Sequence, residues 1–198
     1  MAGKRAMKVV DKWKSKKWYT VLAPASFDNR ELGEVVSSDE KNLLNRIITR
    51  SLTELGLNPS SQLAMFTNLY FRIVDVKGTN AYTKLIGHEI SPAYIKTFAR
   101  RGKSLIHQVM DTKTKDGESI RIKIIAVTGA KVSENTRKNL RKAIAEETKK
   151  NAEGANFDEL MQDLVYGRFS SKLFNRLKQI TMMKRVEVRK SERMELFK

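Results

Sequence analysis

Residues able to meet phosphates and bases are gathered in four stretches of this chain. Lys12-Trp13-Lys14-Ser15-Lys16-Lys17-Trp18-Tyr19 interleaves cations with aromatic rings, and Lys4, Arg5 and Lys8 precede it. Ammonium groups neutralise phosphates, while indole rings can stack on bases or sugars. Trp18 and Tyr19 also begin a strand-like run, so Trp18 is expected in the core and Trp13 is left to RNA or to solvent. Arg100, Arg101 and Lys103 cluster where a predicted helix ends, a place where cations also complement the helix dipole. Arg121 and Lys123 alternate with Ile120, Ile122 and Ile124, so a strand there displays both cations opposite the isoleucines. Arg137/Arg141 and Lys138/Lys142 are like-charged pairs four apart, which destabilise an isolated helix by roughly a few tenths of a kcal/mol each. A polyanion turns that cost into a gain; the competing reading is a basic solvated face.

Arrangements that could carry catalysis fail on spacing. Gly102-Lys103-Ser104 resembles the end of a phosphate-binding P-loop, but Thr97 stands where the first glycine belongs, and the element order is reversed. His88-Glu89 resembles the start of a zinc-protease helix, yet Pro92 occupies the place of the second histidine. Glu146 and Glu147 are adjacent and point to different sides of a helix, so they are no carboxylate pair. His107 is expected to pack or hydrogen-bond within a strand. The absence of cysteine excludes disulfides, thiol nucleophiles and Cys-type zinc sites. No enzyme, cofactor, metal or small-molecule substrate is expected.

The charge says what such residues are for. The chain of 198 residues carries a formal net charge of +17 while 40% of it is hydrophobic. A folded body so one-sided repels itself and calls for a polyanion. The excess is uneven: residues 1–20 hold seven Lys/Arg against Asp11, and 96–115 hold six against Asp111. Residues 121–150 hold nine against three and 168–193 nine against two, whereas 28–54 is slightly acidic and 151–166 has four acids and no base. Phosphate is expected on the basic faces, and protein neighbours or solvent on the two acidic stretches. No apolar run is long enough to cross a bilayer, no secretory signal opens the chain, and the basic helices lack a broad apolar face, so a cytoplasmic protein without membrane contact is expected.

The elements that position these residues follow from periodicity. Strands are predicted at Trp18–Ala23, Asn45–Leu52, Leu69–Val76 and Ala81–Gly87, the last two joined by the turn Lys77-Gly78-Thr79-Asn80. Ser104–Lys113 and Ser119–Thr128 flank Lys115-Asp116-Gly117, and Asp-Gly between alternating runs is a strong hairpin signal. Ser91-Pro92 should open a helix running to about Arg101 and stopping at Gly102. Helices are predicted over Ser133–Ala152, from a capping box at Asn156-Phe157-Asp158-Glu159 to near Gly167, and over Ser170–Ile180. Met183–Ser191 reads as a strand again, so the chain returns to its β core. The organisation expected is a basic tail over 1–17 and one α+β domain over 18–198, with the β core at about 18–132, the helices at about 133–181 and the returning strand at about 182–191.

Lys17-Trp18-Tyr19, Ala23-Pro24, Phe27 and Gly33 are followed by Ser51-Leu52, Leu55, Phe71-Arg72, Gly78 and Gly87-His88-Glu89. Thr114-Lys115-Asp116-Gly117, Arg121 and Val165-Tyr166-Gly167-Arg168 complete a series that spans nearly the whole chain. In order and spacing it resembles the archaeal and eukaryotic small-subunit ribosomal protein family called eS-one, formerly S-three-a-e. Members of that family usually carry a glycine where Asn45 precedes Arg46 here. The long C-terminal extension of eukaryotic members is missing, which makes the chain archaeal in type. The resemblance implies a β-barrel-like antiparallel core with flanking helices, seated on the platform of the small subunit. It also implies contact with small-subunit rRNA near the mRNA exit, with neighbouring ribosomal proteins, and with mRNA. A free RNA- or DNA-binding regulatory protein is the alternative.

Overall fold

The computed structural model describes residues 11, 13–56 and 62–195, so Lys4, Arg5, Lys8 and Lys12 lie outside the described residues. Two compact units divide the chain: residues 1–48 with 71–84, and residues 49–70 with 85–198.

In the first unit, strand β1 (Lys17–Leu22) pairs antiparallel with β2 (Glu31–Ser37), Tyr19 opposite Val35. Their connection turns at Pro24 through a single 3-10 turn, Ala25–Phe27. Strand β2 was not expected: Glu31, Gly33 and Glu34 dilute its β character, and only pairing with β1 supplies it. Strand β3 (Ile47–Ser51) follows, then β4 (Thr67–Lys77) and β5 (Asn80–Ile90), whose hairpin ends belong to this unit. The start of β5 runs parallel to β1, Leu22 beside Tyr82. Tyr19, Val21, Phe27, Phe71, Ile73 and Ala81 form the core, with Phe27 edge-on to Phe71 at 5.9 Å. Asn45 holds φ +65°, the left-handed region that Asn tolerates better than other non-glycine residues. The turn that the resemblance expects on glycine is formed here on Asn45. Asn45 N donates to the Ile73 carbonyl at 2.9 Å, and Ile73 N donates to the Arg46 carbonyl at 3.0 Å.

In the second unit, β6 (Leu105–Lys113) and β7 (Ser119–Thr128) form the predicted hairpin, with Gly117 at φ +79° in its turn. Strand β8 (Met183–Arg193) pairs antiparallel with β7 along its length and with β5 at Gly87–Glu89. Gly87 is required by this pairing, because a Cβ there would overlap the Ser191 carbonyl. Helix α1 is only Pro92–Lys96, shorter than predicted, and Ser91 makes no side-chain cap. The Thr97 hydroxyl donates to the Tyr94 carbonyl at 2.6 Å, and Phe98 N turns to Ile95 O, which ends the helix early. Helices α2 (Glu134–Gly154), α3 (Phe157–Val165) and α4 (Arg168–Lys178) follow. The predicted capping box forms, with Asn156 N donating to the Glu159 carboxylate at 3.3 Å. Phe157 N donates to Asp116 of the hairpin turn at 2.9 Å, tying α3 to the tip of β6–β7. Helix α2 packs on β6 and α4 on β8, burying Leu140, Ile144, Leu173 and Leu177.

The class is α+β, mostly antiparallel, with C-terminal helices and a final returning strand. Hydrogen bonds order the strands β2-β1-β5-β8-β7-β6, with β4 bonded to β3 and β5. That path has free ends, so the barrel-like core is an open sheet.

Candidate nucleic-acid interface

The predicted cations differ in what already neutralises them. Arg121 and Lys123 do stand opposite the buried Ile120, Ile122 and Ile124, but neither is freely displayed. Arg121 grips Asp111 with two bonds of 2.7 and 2.8 Å, and Lys123 reaches Glu192 at 3.4 Å. The Asp111 carboxyl is held below its ordinary range by this bond, and Arg121 is raised in return. Lys190 extends the lattice to Glu89 at 3.2 Å and Glu192 at 2.5 Å, with Tyr70 on Glu89. Cross-strand partners, Asp111 in the same hairpin and Glu192 on β8, thus absorb this face's charge.

On α2, Arg137 and Arg141 share Glu134, each at 3.3 Å, and Lys142 lies 3.9 Å from Glu146. Lys138 is exposed and has no ion pair among the described residues. The like-charge repulsion read from the sequence is therefore partly offset inside the helix itself.

Before β1, Trp13 is 70% exposed and Lys16 sits 3.7 Å above its ring. Lys14, Lys16 and Lys17 are exposed and make no ion pair among the described residues. Trp18 corrects an expectation: it is 63% exposed rather than core. Strand alternation places Tyr19, Val21 and Ala23 inside, which turns Trp18 to the opposite face.

Arg100, Arg101 and Lys103 occupy the turn after α1, and the structure adds two residues that the sequence did not join to them. Lys184 and Arg185, at the start of β8, line one cleft with Arg100 and Lys103. The Lys103 ammonium interacts directly with that of Lys184, which lowers its pKa, assisted by desolvation and the Arg100 charge. Arg100, Arg101, Lys103 and Lys184 have no carboxylate partner among the described residues. The only local signal was the basic excess over 168–193; the pairing of β7 with β8 converts it into proximity.

The histidines take structural places. His88 is buried, with Nδ1 2.6 Å from the Ser191 hydroxyl and Nε2 3.3 Å from the Val188 carbonyl. The carbonyl only accepts, so Nε2 carries the proton and Nδ1 accepts from Ser191. Burial lowers the His88 pKa to about 4, keeping the ring neutral. His107 lies in β6, exposed, its pKa lowered by partial burial and by Arg189. Among the described residues no three His, Asp or Glu side chains are grouped to hold a metal. No described helix is long and apolar enough to cross a membrane.

A sequence model of the ribosomal S3Ae family matches residues 4–196. The chain is 36% identical over 192 residues to small ribosomal subunit protein eS1 of Sulfurisphaera tokodaii, covering 97% of both chains. It is 35% identical to the protein of that name from Staphylothermus marinus, covering 97% of this chain and 89% of the relative. The Sulfolobus acidocaldarius protein of the same name is 34% identical, with 97% and 96% covered. The chain belongs to the ribosomal S3Ae family, a family of structural proteins rather than enzymes.

Proposed function

We propose that this protein is a structural constituent of the small ribosomal subunit that binds small-subunit rRNA through phosphates and shape rather than base identity. A ribosomal structural role is what the relatives' names support. The observation that carries RNA binding is the cluster Arg100, Lys103 and Lys184, which shares one cleft and whose mutual repulsion has no carboxylate to relieve it among the described residues. The tail residues Lys4, Arg5, Lys8, Lys12, Trp13, Lys14, Lys16 and Lys17 add a second binding surface, and Lys138 with its helix neighbours Arg137, Arg141 and Lys142 a third. Arg121 and Lys123 contribute where RNA competes with Asp111 and Glu192. By resemblance the protein sits on the platform near the mRNA exit, beside neighbouring ribosomal proteins, in the cytoplasmic ribosome. The acidic stretches 28–54 and 151–166 face those proteins or solvent. Co-sedimentation with small subunits through moderate salt washing is the expected result. Recovery only in the free pool would instead mark a regulator acting off the ribosome.

A further inference from the structure

We infer that the cleft between the end of α1 and the start of β8 holds the backbone of a single RNA strand, one of whose unstacked bases lies on Phe66. This assignment rests on the RNA-binding reading above and names where and in what form the RNA is held.

The cleft has a volume of about 200 Å³ and is walled by Thr97, Phe98 and Val127, with Arg100, Lys103, Lys184 and Arg185 around it. Its cations come from two segments some eighty residues apart, and the fold sets Lys103 and Lys184 on one cleft, where their like charges repel. Two ammonium groups can only donate, so nothing in the pair satisfies the other. A phosphate oxygen accepts from both at once. Glu187 feels the Arg185 charge, but it is largely buried and bonded to Ser170.

Arg185 connects this anion site to an aromatic ladder. Its guanidinium stacks on Phe98 at 5.0 Å and donates to the Tyr94 hydroxyl at 2.7 Å. Tyr94 in turn lies parallel to Phe66, with ring centroids 4.3 Å apart and planes 8° from coplanar. Phe66 keeps 36% of its surface in solvent beside Met65, which is 65% exposed. A base laid on Phe66 lengthens an existing stack, and base–aromatic stacking tolerates any base. Phe66 and the Arg185 guanidinium lie 4.3 and 5.7 Å from the same Tyr94 ring, so a base on Phe66 and a phosphate in the cleft can belong to one strand. A-form duplex does not fit, because its bases are stacked inside the helix and cannot be laid on a ring.

The test is binding of the full chain to a labelled oligouridylate and to a blunt RNA duplex of equal length. The K103Q/K184Q variant is compared with K149Q/K172Q, which removes two charges already paired to Glu153 and Asp163. The first should weaken oligouridylate binding about tenfold or more and reduce the salt slope by about 0.7 for each phosphate left without its cation. The second should change affinity less than about threefold, since its charges act only at a distance. Phe66→Leu keeps apolar bulk and loses the aromatic face; it should weaken the single strand about fivefold or more and leave the duplex unchanged. Equal effects of the two double variants, or equal effects of Phe66→Leu on strand and duplex, would overturn the site. If the wild-type chain binds neither RNA, the broader reading falls as well; if it binds and the variants are silent, this site alone falls.

Discussion

Ionisation of the Glu187 carboxyl works against the fold. Burial raises its carboxyl from 4.5 to about 7, against the opposing pull of Arg185 and Ser170. Its neutral form is favoured in the folded chain, so the stability it contributes is full below pH 4.5 and lost as pH rises through 7. Glu187→Gln should therefore match the wild type near pH 4 and exceed it by ~2 kcal/mol at pH 8, read from denaturant midpoints. His88 has the opposite sign, and the comparison cancels it: its contribution is present above 6.5 and lost as pH falls through about 4. Asn45 gives a second residue-scale test. Asn45→Gly should leave stability within about 0.5 kcal/mol, whereas Asn45→Val should cost about 1–2 kcal/mol at its left-handed backbone. The sequence raised a question at Asn45 only because the resemblance led to an expectation of glycine there. Its answer is a dihedral angle, which no composition or spacing reveals. Trp18 illustrates the complementary failure: its type favoured burial, but the parity of β1 decided its face.

At the scale of elements, β5 and β8 approach closely where they cross at Gly87. Gly87→Ala forces a methyl group into the Ser191 backbone and should cost about 3 kcal/mol or more, seen as a lowered melting temperature. The hairpin β6–β7 was fully legible, because Asp116-Gly117 and two alternating runs encode it locally. The helices were legible for the same reason; α1 was overextended because the Thr97 hydroxyl competes for the helix carbonyls. Strand β2 was not legible, since its stability comes from β1 rather than from its own residues. Nor was the candidate site. Each cation in it was visible, but which of them share a cleft and which are neutralised across strands depends on strand pairing, part of it within one hairpin and part of it between β7 and the much later β8.

For the whole molecule, the +17 resolves into charges the fold consumes and charges it leaves available. The 121–123 face belongs to the first kind, the α1–β8 cleft and the segment before β1 to the second. Neutralising Lys14, Lys16 and Lys17 together should lower the salt slope of RNA binding by about 0.7–0.9 for each phosphate they meet; an unchanged slope would show that these lysines are only solvated. The place of β8 carries one more consequence, for biosynthesis. Residues 183–193 lie between β7 and β5 yet are translated after both. Until they emerge, β7 and β5 each present an unpaired edge, and the half-site formed by Arg100 and Lys103 lacks Lys184 and Arg185. A nascent chain stalled before residue 183 is thus both open to strand-edge aggregation and without its complete anion cleft. Competence to engage RNA there arrives in the same step that closes the vulnerable edges.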